Sequence, residues 1–263
     1  MDKNKNNIGI FSGPIWEGTY YSFQDVPCTG DAFVEEDKWM ESCQRQIQDI
    51  QASGCRYQEY LLPVIGAMVA NENDKNNKNN LVVLDIGGGA GNGYPALKKV
   101  LKSFPMIFNV IENKSICKIG SEIFCGKEVN FFEKIPESLP KVDIAHFGSV
   151  IQYVDDWESF IKEVTKIHPK YILISDAFVG NIPTFITAQN FYGRKLAFRF
   201  LNIDELIECV ENQGFKLILD TEYDRTMLGK RDPLPLGNFP ENMQLKYSHH
   251  LLFAKNNVSQ ENY

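Results

Sequence analysis

From residue 81 onward, short apolar runs alternate with stretches whose apolar positions recur every three to four residues. The runs predict strands at 81–86, 107–112, 129–132, 142–147, 171–176, 215–221 and 248–254. Val82 and Val83 are β-branched, and their run is apolar up to an acid at its end, as suits an inner strand covered on both faces. The periodic stretches predict helices at 94–103, 114–124, 156–167 and 203–213, the last capped by Asn202 or Asp204 and stopped by Gly214. This alternation predicts a doubly wound α/β sheet whose ligands lie outside the carboxyl ends of its parallel strands. The last two strand runs are joined by the Pro-rich link Lys230 to Pro240 with no helix between them, so they predict an antiparallel hairpin.

Residues 71–80 have no apolar member and read as a solvated loop. That link divides the chain into an N-terminal extension over 1–80, a core domain over 81–256 and a tail over 257–263. Within the extension, helical spacing predicts one helix around 37–53, through Trp39, Met40, Cys43, Ile47 and Ile50. A second is expected around 57–69, kinked or restarted at Pro63. The aromatic segment over 10–23 is too rich in Gly and Pro for a helix, and it is expected to pack on the core through Trp16, Tyr20, Tyr21 and Phe23.

The strand at 81–86 runs through Asp85 straight into Gly87-Gly88-Gly89-Ala90-Gly91. Glycines there allow positive φ and close approach of the backbone to a ligand. A dinucleotide fingerprint, Gly-x-Gly-x-x-Gly, fails at Asn92 when started from Gly87 and at Tyr94 when started from Gly89. A Gly91-x-Gly93-x-x-Ala96 match starts too far from the strand and includes Pro95. The pattern Asp85-x-Gly87-x-Gly89-x-Gly91 resembles motif I of class I S-adenosylmethionine-dependent methyltransferases. The resemblance implies that the glycines pass beneath the aminoacyl part of the cofactor, while the acid supports the turn or the ammonium group. A second acid, Glu112, ends the next strand about 20 residues on, where a carboxylate can accept hydrogen bonds from both hydroxyls of a ribose.

Composition narrows the partners. The 263 residues are 43% hydrophobic and carry a net charge of −7, so no overall basic field exists to hold nucleic acid or an acidic membrane. Six scattered cysteines form no Cys-x-x-Cys pair, and no apolar stretch approaches a membrane span or a signal segment. These features predict a reduced, cytoplasmic setting without structural zinc or other metal.

The similarity extends beyond the turn. Phe11-Ser-Gly-Pro, Tyr20, Phe23, Asn109-Val-Ile-Glu112, Ser149-Val-Ile-Gln-Tyr-Val154 and the closing His-Leu-Leu-Phe-Ala resemble a family of bacterial methyltransferases of the Leptospira type, over nearly the whole chain. The Arg194-Lys195 segment and the His249-His250 pair depart from that family's pattern. The resemblance implies a Rossmann-like, seven-stranded, mostly parallel sheet with an antiparallel last strand and an N-terminal helical extension. It also implies an S-adenosyl-L-methionine cofactor and methylation in surface-polysaccharide biosynthesis.

Candidate residues follow from strand ends. Ser149 and Gln152 join Asp85, Gly87, Gly88, Gly89, Gly91 and Glu112 as cofactor contacts. Methyl transfer to a hydroxyl needs alignment and a base; Tyr153, Asp176, His249 and His250 are the catalytic candidates, the two histidines pointing to opposite faces of their strand. His146 reads as a hydrogen-bonded core residue and His168 as a turn residue. The stretch from Phe178 to Asn202 reads as the wall of an acceptor pocket. Together with Tyr20 it supplies the substrate candidates Gln189, Tyr192, Arg194 and Lys195, the last two suited to a phosphate or carboxylate. The acceptor expected is a sugar nucleotide or phosphorylated sugar, methylated on oxygen. Rival readings are an NAD-dependent oxidoreductase and a non-catalytic partner protein of the same fold.

Overall fold

A computed structural model of the chain describes residues 14–29, 41, 44–45, 48, 61–126, 128–191, 194–224 and 233–256. The expected helix at 37–53, the segment before residue 14, the start of the helix at 57–69 and the tail at 257–263 lie wholly or mostly outside them.

Seven strands form the central sheet: β2 (Leu81–Ile86), β3 (Met106–Ile111), β4 (Val129–Phe132), β5 (Ile144–Gly148), β6 (Tyr171–Ala177), β10 (Phe215–Tyr223) and β11 (Ser248–Lys255). Their order is β10-β11-β6-β5-β2-β3-β4. All neighbours from β6 to β4 are parallel, whereas β11 runs antiparallel to both β6 and β10. The expected α/β sheet and its terminal hairpin are therefore present. Because β3 lies on one side of β2 and β5 on the other, the chain reverses its winding at β2, which opens a crevice beyond its carboxyl end.

The described helices are α1 (Leu61–Lys75), α2 (Gly93–Leu101), α3 (Lys114–Ile123), α4 (Trp157–Thr165) and α5 (Ile203–Glu211). Asn113, Asp156 and Asn202 accept hydrogen bonds from first-turn amides of α3, α4 and α5, which fixes where each begins. Helices α1 and α2 bury Leu62, Ile65, Val69, Tyr94 and Leu97 on one face of the sheet, against Leu81, Val83, Phe108 and Leu173. Helices α4 and α5 cover the other face with Trp157, Ile161, Leu206 and Val210. Among the described residues no helix is long and apolar enough to cross a membrane.

Two expectations are corrected. The Asn-rich segment is not wholly loop: α1 continues to Lys75, and Asn73 is buried because its amide donates to Asp143 Oδ2 at 3.1 Å. The sequence predicts no strand within 178–202, yet the stretch is built of strands. It forms β7 (Val179–Gly180), β8 (Phe185–Phe191) and β9 (Arg194–Asn202), which join β1 (Trp16–Tyr20) in a second sheet of order β1-β8-β9-β7. Both faces of β8 are covered: Ile186 and Ala188 meet Val26, while Phe185 joins Trp16, Phe178, Phe198 and Phe200. Trp16 is fully buried, as the aromatic segment predicts, whereas Tyr21 is fully exposed.

Candidate active site

At the end of β2 the chain turns through Gly87, Gly89 and Gly91 at φ +63°, +58° and +89°. These are left-handed values that disfavour any side chain. Asp85 is only 2% exposed, and its carboxylate is tucked beneath the turn: a Cβ added at Gly88 would stand 2.4 Å from Asp85 Oδ2. Glu112 follows β3 directly, and its Oε2 accepts from the Asn113 amide at 2.8 Å. Burial pushes the Glu112 carboxyl above the ordinary glutamate range, opposed by hydrogen bonds from the amides of Asn113 and Gly89 and reinforced by the charge of Asp85. The two acids therefore flank one turn.

The end of β5 closes the same crevice. A Cβ at Gly87 would fall 2.4 Å from Val150 Cγ2, so the segment after β5 lies against the turn. Ser149 adopts φ +54°, donates its N–H to Ser175 O at 2.8 Å and accepts from Gln152 Nε2 at 3.0 Å. Gln152 is 1% exposed, and its Oε1 has no hydrogen-bond partner among the described residues. All eight cofactor candidates thus gather at the carboxyl ends of β2, β3 and β5.

Beside them, β6 bulges. His249 pairs with Ala177 and Leu251 with Ile174, so Ser175 and Asp176 together oppose His250. Asp176 takes φ +53°, accepts from Ser248 Oγ at 2.8 Å, and donates its N–H to His250 Nδ1 at 3.0 Å. The Asp176 backbone amide thus ties His250 to β6. In the neutral ring that bond leaves the proton on Nε2, which makes His250 a donor. His249 points the other way and pairs through Nδ1 with Asp220 Oδ1 at 2.7 Å.

Burial, followed by the charges of His146 and His249, lowers the His250 pKa to about 4. An unfolded histidine titrates near pH 6.5, so between roughly pH 4 and 6.5 the unfolded chain binds the extra proton. His250 accordingly lends stability above that window that is lost as pH falls through it. Urea titrations at pH 7 and pH 4.5 should show a smaller acid loss in His250→Asn than in the parent; equal losses would discount this effect.

Tyr153 and Gln189 are joined, Tyr153 Oη donating to Gln189 Oε1 at 2.8 Å. Both face the second sheet, where Tyr153 also packs edge-on to Phe198. Lys195 forms an ion pair with Glu17, which lowers the Glu17 pKa and raises that of Lys195, so its ammonium is engaged. Arg194 pairs with Phe191 across the β8–β9 ladder, and Tyr192 lies outside the described residues. Two other groups matter: Arg199, part of the 178–202 stretch expected to wall the acceptor pocket, and His146, which sequence reasoning left out of the site. Arg199, buried, donates to the carbonyls of Val154 and Asp155 at 2.8 and 2.7 Å and thereby fastens the segment after β5 to the second sheet. His146 bridges Asp85 and Ser175 at 2.8 and 3.1 Å. Its only signal is a polar residue inside an apolar strand run. A separate cavity of about 380 Å³ on the second sheet is lined by Tyr20, Tyr21, Arg199, Asp155, Glu158 and Glu205, among others, and by none of the glycine-turn residues. Among the described residues no three His, Cys, Asp or Glu side chains are grouped to hold a metal ion.

No protein-family model matches the chain, and no curated protein matches it. Solved structures do. An S-adenosylmethionine-dependent methyltransferase from Clostridium acetobutylicum superposes with a TM-score of 0.50 at 12% identity, covering 84% of this chain and all of its own. LepI, solved with SAH and a substrate analogue, gives a TM-score of 0.50 at 11% identity over 83% of this chain, which spans about half of LepI. At such identity the likeness speaks for architecture alone: the chain has the Rossmann-like fold of S-adenosylmethionine-dependent methyltransferases.

Proposed function

We propose that the protein is an S-adenosylmethionine-dependent methyltransferase that binds its cofactor in the crevice beyond β2. The observation that carries this reading is the placement of Asp85 and Glu112 about a single turn with three left-handed glycines. The residues fit the group. Glu112 offers acceptor oxygens to a vicinal diol, the glycines leave room for close backbone approach, and Gln152 Oε1 is an acceptor still awaiting a donor. Asp85 and Glu112 give the crevice a negative potential suited to a sulfonium and an ammonium. When bound, the cofactor supplies an electrophilic methyl group on a cationic sulfur.

The acceptor proposed is a hydroxyl of a small sugar-, phosphate- or nucleotide-linked molecule in bacterial surface-glycan biosynthesis, the class the Leptospira-type resemblance implies, with the reaction in the cytoplasm. A neutral sugar hydroxyl suits the site better than a phosphate, because Lys195 is paired with Glu17 and Arg199 with backbone carbonyls. Tyr20 offers a sugar ring a partly exposed aromatic surface, and Gln189, whose Oε1 is taken by Tyr153, offers its amide nitrogen, with Tyr153, Asp176 and His250 as the groups that order the acceptor or its proton.

Calorimetry with S-adenosylmethionine, S-adenosylhomocysteine and NAD tests the reading. Binding of the first two but not NAD is expected; NAD binding alone would replace methyl transfer with hydride transfer. Binding without turnover on any acceptor panel would favour the partner protein. Glu112→Ala should weaken S-adenosylhomocysteine by about tenfold or more through loss of charged hydrogen bonds. In the parent, affinity should fall on acidification at a pH above the usual glutamate range, because protonation removes an acceptor from a carboxyl whose pKa is raised. An unchanged dissociation constant in Glu112→Ala would take Glu112 out of the site.

A further inference from the structure

Four neighbouring strands place a polar side chain on the same sheet face, at the sheet edge where the parallel strands end. Asp85 follows Leu81 and Val83 on β2, His146 follows Ile144 on β5, Ser175 follows Leu173 on β6, and His250 lies beside Leu252 on β11. All four are under a tenth exposed. Apolar residues would fill these positions at lower cost, since a buried polar chain is stable only when every member is satisfied. Here three are linked in series: His146 Nδ1 to Asp85 Oδ1 at 2.8 Å, and His146 Nε2 to Ser175 Oγ at 3.1 Å.

The bonds define direction. Asp85 can only accept, so it holds the proton of a neutral His146 on Nδ1 and turns the Nε2 lone pair toward Ser175. Ser175 faces Gly148 across the β5–β6 ladder. A Cβ at Gly148 would stand 2.9 Å from His146 Cε1, so the missing side chain admits the imidazole that reaches Ser175.

We propose that Asp85, His146 and Ser175 form a relay that removes the proton of the hydroxyl acceptor during methyl transfer. The inference rests on the methyltransferase reading above. As the acceptor oxygen bonds to the methyl carbon, the carbon–sulfur electron pair stays on sulfur. The acceptor proton passes to Ser175 Oγ, and the serine's own proton passes to His146 Nε2. One positive charge leaves sulfur and one arises on imidazole, so Asp85, beneath the turn and bonded to the ring, balances the charge before and after. Ser175 is the group that would touch the acceptor; His146 and Asp85 act through it as positioning residues. The charged or titratable groups facing His146 are Asp85 from β2 and His250 from β11, with Glu112 beyond Asp85. From the packed faces of α1 and α2 the only described titratable side chain is Tyr94.

The test needs no acceptor. In ¹⁵N-histidine NMR of the full chain, neutral His146 should be the Nδ1-protonated tautomer. Its titration should lie at least about half a pH unit higher with S-adenosylhomocysteine than with S-adenosylmethionine, because the sulfonium repels the imidazolium and the thioether does not. Ser175→Ala should leave the S-adenosylhomocysteine dissociation constant within about twofold while moving the Nε2 resonance, as loss of a hydrogen-bond partner requires. An Nε2-protonated tautomer, or identical titrations in the two complexes, overturns the relay while leaving the cofactor site standing. If calorimetry finds neither compound bound, the methyltransferase reading fails and takes the relay with it.

Discussion

Gly87→Ala is expected to weaken S-adenosylhomocysteine binding by at least about 100-fold, equivalent to about 2.7 kcal/mol. Two effects act together. At φ +63° an alanine stores about 1–2 kcal/mol of backbone strain. Its methyl would also sit 2.4 Å from Val150 Cγ2 and 2.8 Å from Val150 Cβ, a contact that only backbone movement can relieve. The turn would shift off Ile111, whose carbonyl takes the Gly87 N–H at 3.0 Å, and carry the Gly89 amide away from Glu112. Adding Val150→Gly removes the collision and leaves the strain, so the double variant should recover part of the affinity. Calorimetry decides: a Gly87→Ala protein that binds like the parent would show that the turn does not hold the cofactor.

Asp143→Ala is expected to destabilise the fold by about 2–4 kcal/mol without touching the crevice. Asp143 is 4% exposed and precedes β5 at the amino end of the sheet. Its Oδ2 accepts from the Val82 amide at 2.8 Å and from Asn73 Nδ2 at 3.1 Å, and Lys78 Nζ lies 2.7 Å away. Truncation leaves the Val82 amide without its acceptor and takes one of two acceptors from Asn73 Nδ2, which also donates to Asn80 O at 2.9 Å. Lys78→Ala removes only a partly exposed partner and should lose about 1 kcal/mol or less. Urea denaturation read beside S-adenosylhomocysteine affinity checks both. A loss in Asp143→Ala no greater than that in Lys78→Ala would mean the buried acceptor is not what joins α1 to the sheet.

That acid also shows where sequence reading stops. Asn73 and Lys78 stand in a stretch of polar residues with every mark of solvent, yet both meet a carboxylate some 70 positions later. Composition reports what a segment contains and not what it meets. The inner strands were legible because burial on both faces demands continuous apolar residues, and Val82, Val83, Ile172 and Leu173 state that locally. The glycine turn was legible because left-handed backbone selects its residue type. Strands β8 and β9 were not: Thr187 and Gln189 are polar yet buried, and the phenylalanines of β9 pack on Trp16 from the far end of the chain. His146 reads as a core residue until Gly148 and Ser175 are placed around it.

The pairing of β1 with β8 reaches across about 170 residues: Thr187 Oγ1 donates to Glu17 O, and Trp16 lies opposite Gln189. Closing so long a span carries an entropic cost that only the completed partner repays, so the smaller sheet is expected to be assembled after the larger one during folding. Until the first strand arrives, β8 would present an open ladder of amides and carbonyls, the hazard that makes unfinished sheets stick to one another. Trimming the chain ahead of Gln24 would make that transient exposure permanent, which turns the opening segment from an appendage into a safeguard against self-association.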